Sequence, residues 1–299
     1  MSMSKFFIFA GIALLLASCS NDNDANVNNI DELVPVTVHV DGFSVAQGDF
    51  PTTRGTAIAD YANVKAITLA FYASDGTQAY KHTQFQATAS TYTTFGEFTT
   101  TLPVGNYTLV VIGYGQGESN EAITLTSPTS ARFGTTVRET FVKTLPVTVT
   151  NSSPLEVSAT LDRVISKLSL VSTDGRTADV NTIRVTFGGG SRSFNPTTGL
   201  ATDNSGFANA VVTSTAVGNT TNIGSAIFLA TDEQTMDITI ETLDADGAVL
   251  FTKTVSNVPL KRNRVTTLTG AMYSVTGTAN AGSFQLNTDW IAPEDDIAF

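Results

Sequence analysis

The chain holds one cysteine, Cys19, and two histidines, His39 and His82, in 299 residues. A single thiol rules out an internal disulfide framework and any cluster of thiolate metal ligands. Two histidines on separate predicted elements fall short of an imidazole zinc site, and neither has a nucleophile signature beside it for acid/base catalysis. Charge is also scarce, at 14% of residues against about 25% in an average domain. The net charge of -11, with no stripe of Lys and Arg, excludes nucleic acid as a partner. Helical periodicity is almost missing, which leaves sheet as the source of structure.

What is present begins with Lys5 and the apolar run Phe6 to Ala17, closed by Leu16-Ala17-Ser18-Cys19 and the polar Ser20-Asn21-Asp22-Asn23-Asp24. The run is shorter than the about 20 residues a membrane helix needs and fits the h-region of a signal peptide over residues 1–18. Ala17-Ser18 would serve for ordinary cleavage. A cysteine directly after Leu-Ala-Ser resembles the bacterial lipobox, which implies diacylation of Cys19, a solvated tether over 19–32 and an outer-membrane, surface location. The acidic residues after Cys19 are similar to the export tags of Bacteroidetes surface lipoproteins.

From residue 33 onward nearly every segment alternates apolar and polar residues rich in Val, Ile, Thr, Tyr and Phe, as half-buried strands do. Val34, Val36, Val38 and Val40 give one strand an unbroken apolar face, with Pro35 near its start, where a missing N–H is tolerated. A loop is expected from Asp41 to Asn63, then strands at 64–72, 95–102, 107–114, 123–125, 141–149 and 155–161, with Pro103 to Asn106 read as a hairpin turn. A second series is expected at 164–170, 183–187, 210–212, 226–230, 236–243, 249–255, 264–268 and 284–291. With Val34 to Val40, the first series comes to about seven short strands, the usual count for a small sandwich. The expectation is an all-β chain with an N-terminal β-sandwich over 33–160 and a C-terminal one over 161–299, joined without a Pro- or Ser-rich linker.

Other chemical candidates are weak. Phe187-Gly188-Gly189-Gly190-Ser191-Arg192 lacks the Gly-Lys-Ser/Thr ending of a phosphate loop and reads as a turn. Glu294-Asp295-Asp296 reads as a solvated acidic end rather than a calcium site. No catalytic residue, metal site or cofactor is expected, and sequons at Asn106 and Asn219 carry no functional reading.

Several short runs together carry a family resemblance. After the lipobox and one strand comes Thr52-Thr53-Arg54-Gly55, similar to the Thr-Arg site where an arginine-specific protease trims fimbrillin precursors. Leu102-Pro103-Val104-Gly105-Asn106-Tyr107-Thr108-Leu109-Val110-Val111 is similar to the Pro-x-Gly-x-Tyr hairpin of their N-terminal domain, and Leu161-Asp162-Arg163-Val164-Ile165-Ser166-Lys167-Leu168 to the opening of their second domain. Val258-Pro259-Leu260-Lys261-Arg262-Asn263-Arg264-Val265-Thr266-Thr267-Leu268-Thr269-Gly270 matches the run before their last strands. Together these runs resemble the Bacteroidetes fimbrillins. The chain departs from the pattern in its weaker acidic tag and in its short ending after Trp290.

The resemblance implies two transthyretin-like sandwiches in tandem and a pilus subunit serving adhesion. It implies removal of 33–54 by cleavage between Arg54 and Gly55, and refilling of the vacated groove by a neighbour's C-terminal strand. The donor expected here is 283–291, with Phe284, Leu286 and Trp290 on one face. Partners would be other fimbrial subunits, the outer membrane through lipid on Cys19, and a host or bacterial surface receptor. Two other readings stay open: a tip or anchor subunit that keeps its lipid, and a surface glycan-binding lipoprotein.

Overall fold

The computed structural model describes residues 32–44, 56–57, 64–86, 95–115, 121–273 and 285–287. The chain divides into two compact units, Met1–Asp31 and Glu32–Phe299. The first lies wholly outside the described residues, and with it Cys19; Arg54, Gly55, Phe284 and Trp290 also lie outside them.

The described elements are all strands. The first half contains β1 (Leu33–Ser44), β2 (Thr56–Ala57), β3 (Ala66–Ala73), β4 (Gln78–Phe85), β5 (Glu97–Pro103), β6 (Gly105–Tyr114), β7 (Thr124–Ser127), β8 (Ser130–Arg132), β9 (Thr140–Val149) and β10 (Leu155–Arg163). Eight of them form one sheet in the order β2-β1-β10-β9-β6-β3-β4, with β5 paired to β1. The sheet creases where β10 meets β9, because those two share only the pairs Asp162↔Val142 and Arg163↔Phe141. Strands β5, β1 and β10 thus make one layer and β9, β6, β3 and β4 the facing one. Val36, Val38, Phe98 and Leu161 from the first layer meet Leu69, Phe71, Leu109 and Phe141 from the second in one core.

Strand β3 is buried along almost its whole length. Ile67, Leu69 and Phe71 face that first core, whereas Ala66, Ala70 and Tyr72 face another on the opposite side. A strand covered on both faces reads as a continuous apolar run rather than as strict alternation, which is how Val64 to Tyr72 is written.

The second half supplies β11 (Ser166–Ser172), β12 (Thr182–Phe187), β13 (Ser193–Asn195), β14 (Leu200–Ala201), β15 (Phe207–Val212), β16 (Asn222–Ile227), β17 (Glu233–Leu243), β18 (Val249–Lys261), β19 (Val265–Gly270) and β20 (Gln285–Asn287). Sheets β16-β11-β19-β20 and β15-β12-β17-β18 enclose a third core that includes Leu168, Leu170, Ile183, Val185, Ile238, Ile240 and Leu268. A small sheet, β14-β13-β8-β7, takes strands from both halves. From its β13 Phe194 stacks on Phe228 with ring centroids 4.2 Å apart, both in the second core.

Two expectations are corrected. Pro103 to Asn106 is not a hairpin: β5 pairs with β1, while β6 pairs with β3 and β9. Only Val104 separates the two strands, fewer than the two residues a tight hairpin needs, so the chain crosses between layers instead. The loop expected from Asp41 to Asn63 begins later, because β1 continues to Ser44 past a bulge between Val40 and Gly42, and β2 pairs with it there.

Candidate functional site

Of the site residues singled out by sequence, four of those described lie on β1 and one, Leu286, on β20. Val34, Val36, Val38 and Val40 are 1–5% exposed and sit in the first core. Full burial of a valine is worth roughly 1.5–3 kcal/mol, an upper estimate for a real unfolded chain, so the four together hold the strand firmly. Both edges of β1 are paired as well. One runs parallel to β10, from Val36↔Leu155 to Ser44↔Asp162. The other runs antiparallel to β5, from Leu33↔Pro103 to His39↔Glu97. Removing this strand would bare two rows of backbone hydrogen-bonding groups and four core positions at once, which is the template for strand addition.

Among the described residues strand β5 pairs with no other strand, yet it is pinned at both ends by contacts that do not involve β1. The buried Gln84 of β4 donates from Nε2 to the Glu97 carbonyl at 2.7 Å, and its Oε1 accepts from the Gly96 N–H at 2.8 Å. At the other end the Tyr107 hydroxyl donates to the Pro103 carbonyl at 2.9 Å, and the Tyr107 ring meets Phe71 edge-on at 6.3 Å. Sequence reasoning missed Gln84; a lone amide in a polar edge strand carries no signal of its own. Tyr107 was legible only as part of the Pro-x-Gly-x-Tyr run.

Leu286 lies in β20, opposite Leu268 at the edge of the β16-β11-β19-β20 sheet. The chain is fixed just before this point, where both Asp174 carboxylate oxygens accept from backbone, Oδ1 from Met272 N–H at 2.8 Å and Oδ2 from Tyr273 N–H at 2.9 Å.

A buried ionic group sits where β10 passes into β11. Arg163 pairs with Glu139 at 2.7 Å and lies over the Phe141 ring at 5.1 Å. Burial pulls the Lys167 ammonium down to about 8, opposed by the nearby Glu139 carboxylate and reinforced by the Arg163 charge. Beside it is a cleft of about 460 Å³ lined by residues including Lys143, Asp162, Thr197, Arg262 and Asn263, with no aromatic side chain. Its charges are engaged, Lys143 with Asp162 at 3.4 Å and Arg262 with Asp232 at 2.8 Å.

The histidines are not brought together. His39 pairs in register with Glu97 and Ser158 on β1, and the exposed His82 meets the Phe98 ring edge-on at 6.2 Å. The glycine-rich run is a turn: Gly190 has φ +66°, and a Cβ there would lie 2.6 Å from the Phe228 carbonyl. Among the described residues no three His, Cys, Asp or Glu are grouped to hold a metal.

No curated protein matches the sequence. Among solved structures the fold is similar to that of a candidate adhesin from Bacteroides ovatus, at 13% identity and a TM-score of 0.50, over 81% of this chain and 88% of that one. It is similar also to the fimbrial anchor protein Mfa2 from Porphyromonas gingivalis, at 12% identity and a TM-score of 0.50, over 87% of this chain and 99% of that one. The family model that matches covers residues 36–294, and the chain accordingly belongs to the family of unknown function DUF6562.

Proposed function

We propose that the chain is a structural subunit of a cell-surface fimbria. On this reading it is exported as a lipoprotein through Cys19, freed by cleavage after Arg54 and joined to its neighbours by strand donation. Residues 33–160 and 161–299 act as two transthyretin-like sandwiches. The observation that carries the reading is β1, an apolar strand paired on both edges and set in a core whose remaining walls have contacts of their own. An incoming strand with apolar residues at alternate positions restores both the backbone bonds and the core, and Phe284, Leu286 and Trp290 offer that pattern. A non-enzymatic role belongs to the same reading.

One observation favours a second reading. Because β20 pairs in cis with β19, an anchor subunit that keeps its lipid, its β1 and its own C-terminal strand is the natural rival. The glycan-binding reading has less behind it, since the cleft beside Arg163 has no aromatic platform.

The test is truncation after Gly282. Strand donation predicts folded, monomeric subunit and no fibres. Normal fibres from the truncated chain would reject it.

A further inference from the structure

The cleft beside Arg163 has no part in strand donation. One wall comes from the first half, from Val142 to Thr144 of β9 and Asp162 and Arg163 of β10. The other comes from two turns of the second half, Pro196 to Gly199 between β13 and β14 and Arg262-Asn263 between β18 and β19. Its volume of about 460 Å³ falls within the roughly 300–1,000 Å³ of small-ligand sites.

Both turns are tied to the facing wall. Thr144 Oγ1 donates to the Pro196 carbonyl at 3.2 Å, and the Asn263 N–H donates to the Ile165 carbonyl at 2.7 Å. Arg262 Nη1 donates to the Thr198 carbonyl at 2.9 Å and so joins one turn to the other. Gly199 permits the close approach. It holds φ at +73°, and a Cβ there would lie 2.6 Å from Val164 Cγ1 and 3.0 Å from Arg262 Nη1. The cavity is therefore preformed, and a ligand has little ordering to impose.

Three cations line the cleft, Lys143, Arg163 and Arg262, against one carboxylate, Asp162, in a chain whose net charge is -11. Arg163 is taken up by Glu139 and Asn263. Lys143 is held far less firmly. Its polar partner among the described residues is Asp162 at 3.4 Å, long for a hydrogen bond and between side chains 37% and 58% exposed. Such a pair is worth about 0–1 kcal/mol, so an incoming carboxylate can replace Asp162 on the ammonium. Arg262 uses Nη1 on Thr198 and Nη2 on Asp232 and keeps Nε. Thr198 Oγ1 accepts from the Leu200 N–H and has its own proton to donate.

We propose that this cleft binds a sugar acid, a pyranose carrying one carboxylate and several hydroxyls. Lys143, backed by Arg262, pairs with the carboxylate, and the ring hydroxyls meet Asp162 and Thr198. Asp162 decides between classes of anion: it repels a phosphate dianion, whereas sugar hydroxyls find an acceptor in it. A neutral glycan is held by stacking on aromatic side chains, and this cleft has none. An acidic one is held by charge. Every lining residue stays in the chain after cleavage at Arg54, so the site is independent of strand donation and of whether the lipid is kept.

The test is calorimetric titration of the full chain with glucuronic acid and N-acetylneuraminic acid, with glucose as the neutral counterpart and inorganic phosphate as the other anion. Saturable binding of either acid, weakened about tenfold or more by Lys143→Gln and restored by Lys143→Arg, supports the site. Unfolding temperatures check that each variant folds. Lys253→Gln, in the middle of β18, should leave binding as it was. No saturable binding of either acid, equal binding of glucose, tighter binding of phosphate, or binding indifferent to Lys143→Gln overturns the proposal. Binding that appears only when Glu294→Gln, Asp295→Asn and Asp296→Asn are combined assigns the cleft to the chain's own acidic end and also overturns it. Fibre formation is scored separately on the chain truncated after Gly282, so a failure of the site and a failure of strand donation are told apart.

Discussion

Arg163 Nη1 donates to Asn263 Oδ1 across 3.2 Å, joining residues 100 positions apart at the place where β10 becomes β11. Asn263 also donates its own N–H to the Ile165 carbonyl at 2.7 Å and holds φ at +59°, a left-handed conformation that Asn tolerates better than most side chains. The Lys167 N–H donates to the Arg264 carbonyl at 2.9 Å. Two runs that the sequence marks separately, 161–168 and 258–270, are therefore one structural joint.

Asn263→Val removes an acceptor for Arg163 and forces a β-branched residue into that backbone. The expected loss is about 2–4 kcal/mol of stability. Asn263→Gly keeps the backbone permissive and loses less. Chemical denaturation of the two variants gives the order, and equal losses would place the cost in the side-chain bond alone.

Gln84 and Tyr107 hold opposite ends of β5. Gln84→Leu strands a buried N–H and a buried carbonyl, at about 1–3 kcal/mol each; Tyr107→Phe loses one hydrogen bond, about 1 kcal/mol. The sites have no shared partner in β5, so the double variant should show additive losses. Hydrogen exchange in Glu97–Pro103 should rise more than the global loss of stability predicts.

Val38→Ala in β1 opens a cavity in the first core and is expected to cost about 2 kcal/mol in the uncleaved chain. Val38→Asp places an unpaired carboxylate there and should expel the strand or unfold the precursor. If β1 leaves at cleavage, a chain beginning at Gly55 lacks position 38, and its donor-filled fibres are unaffected by either substitution.

Lys167 has its ammonium lowered from 10.5 to about 8 by burial. In that window the unfolded chain binds more protons than the folded one, so this group makes stability rise as pH climbs from about 8 toward 10.5. Below about 8 the charged form is buried and the gain is absent. Lys167→Met should flatten this part of the stability curve, read by urea titrations at pH 7.5, 8.5 and 9.5. An unchanged slope would show that another group sets it.

The parts legible in the sequence are those with strong alternation or long apolar runs: β1, β3, β6, β9 and β17 lie within a few residues of their expected places. Strand β4 escaped because Gln78-Ala79-Tyr80-Lys81-His82-Thr83-Gln84-Phe85 is a mostly exposed edge with no apolar face to betray it. The two- and three-residue strands β8, β13 and β14 are too short for any period, and their sheet exists only through contacts between distant segments. Periodicity foretold the four valines of β1 but not its parallel partner, since register with Leu155 to Asp162 is a tertiary fact. The crossing at Val104 was hidden for a similar reason: alternation shows which residues face a core, not from which side they face it.

The central claim is that β1 is removable and that Cys19 is a temporary tether. Mass spectrometry of the N-terminus of subunits sheared from the cell surface tests it most directly. The account predicts a mature chain that begins at Gly55 and lacks lipid. A polymerised subunit that begins at acylated Cys19, with Val34 to Val40 still attached, would contradict it.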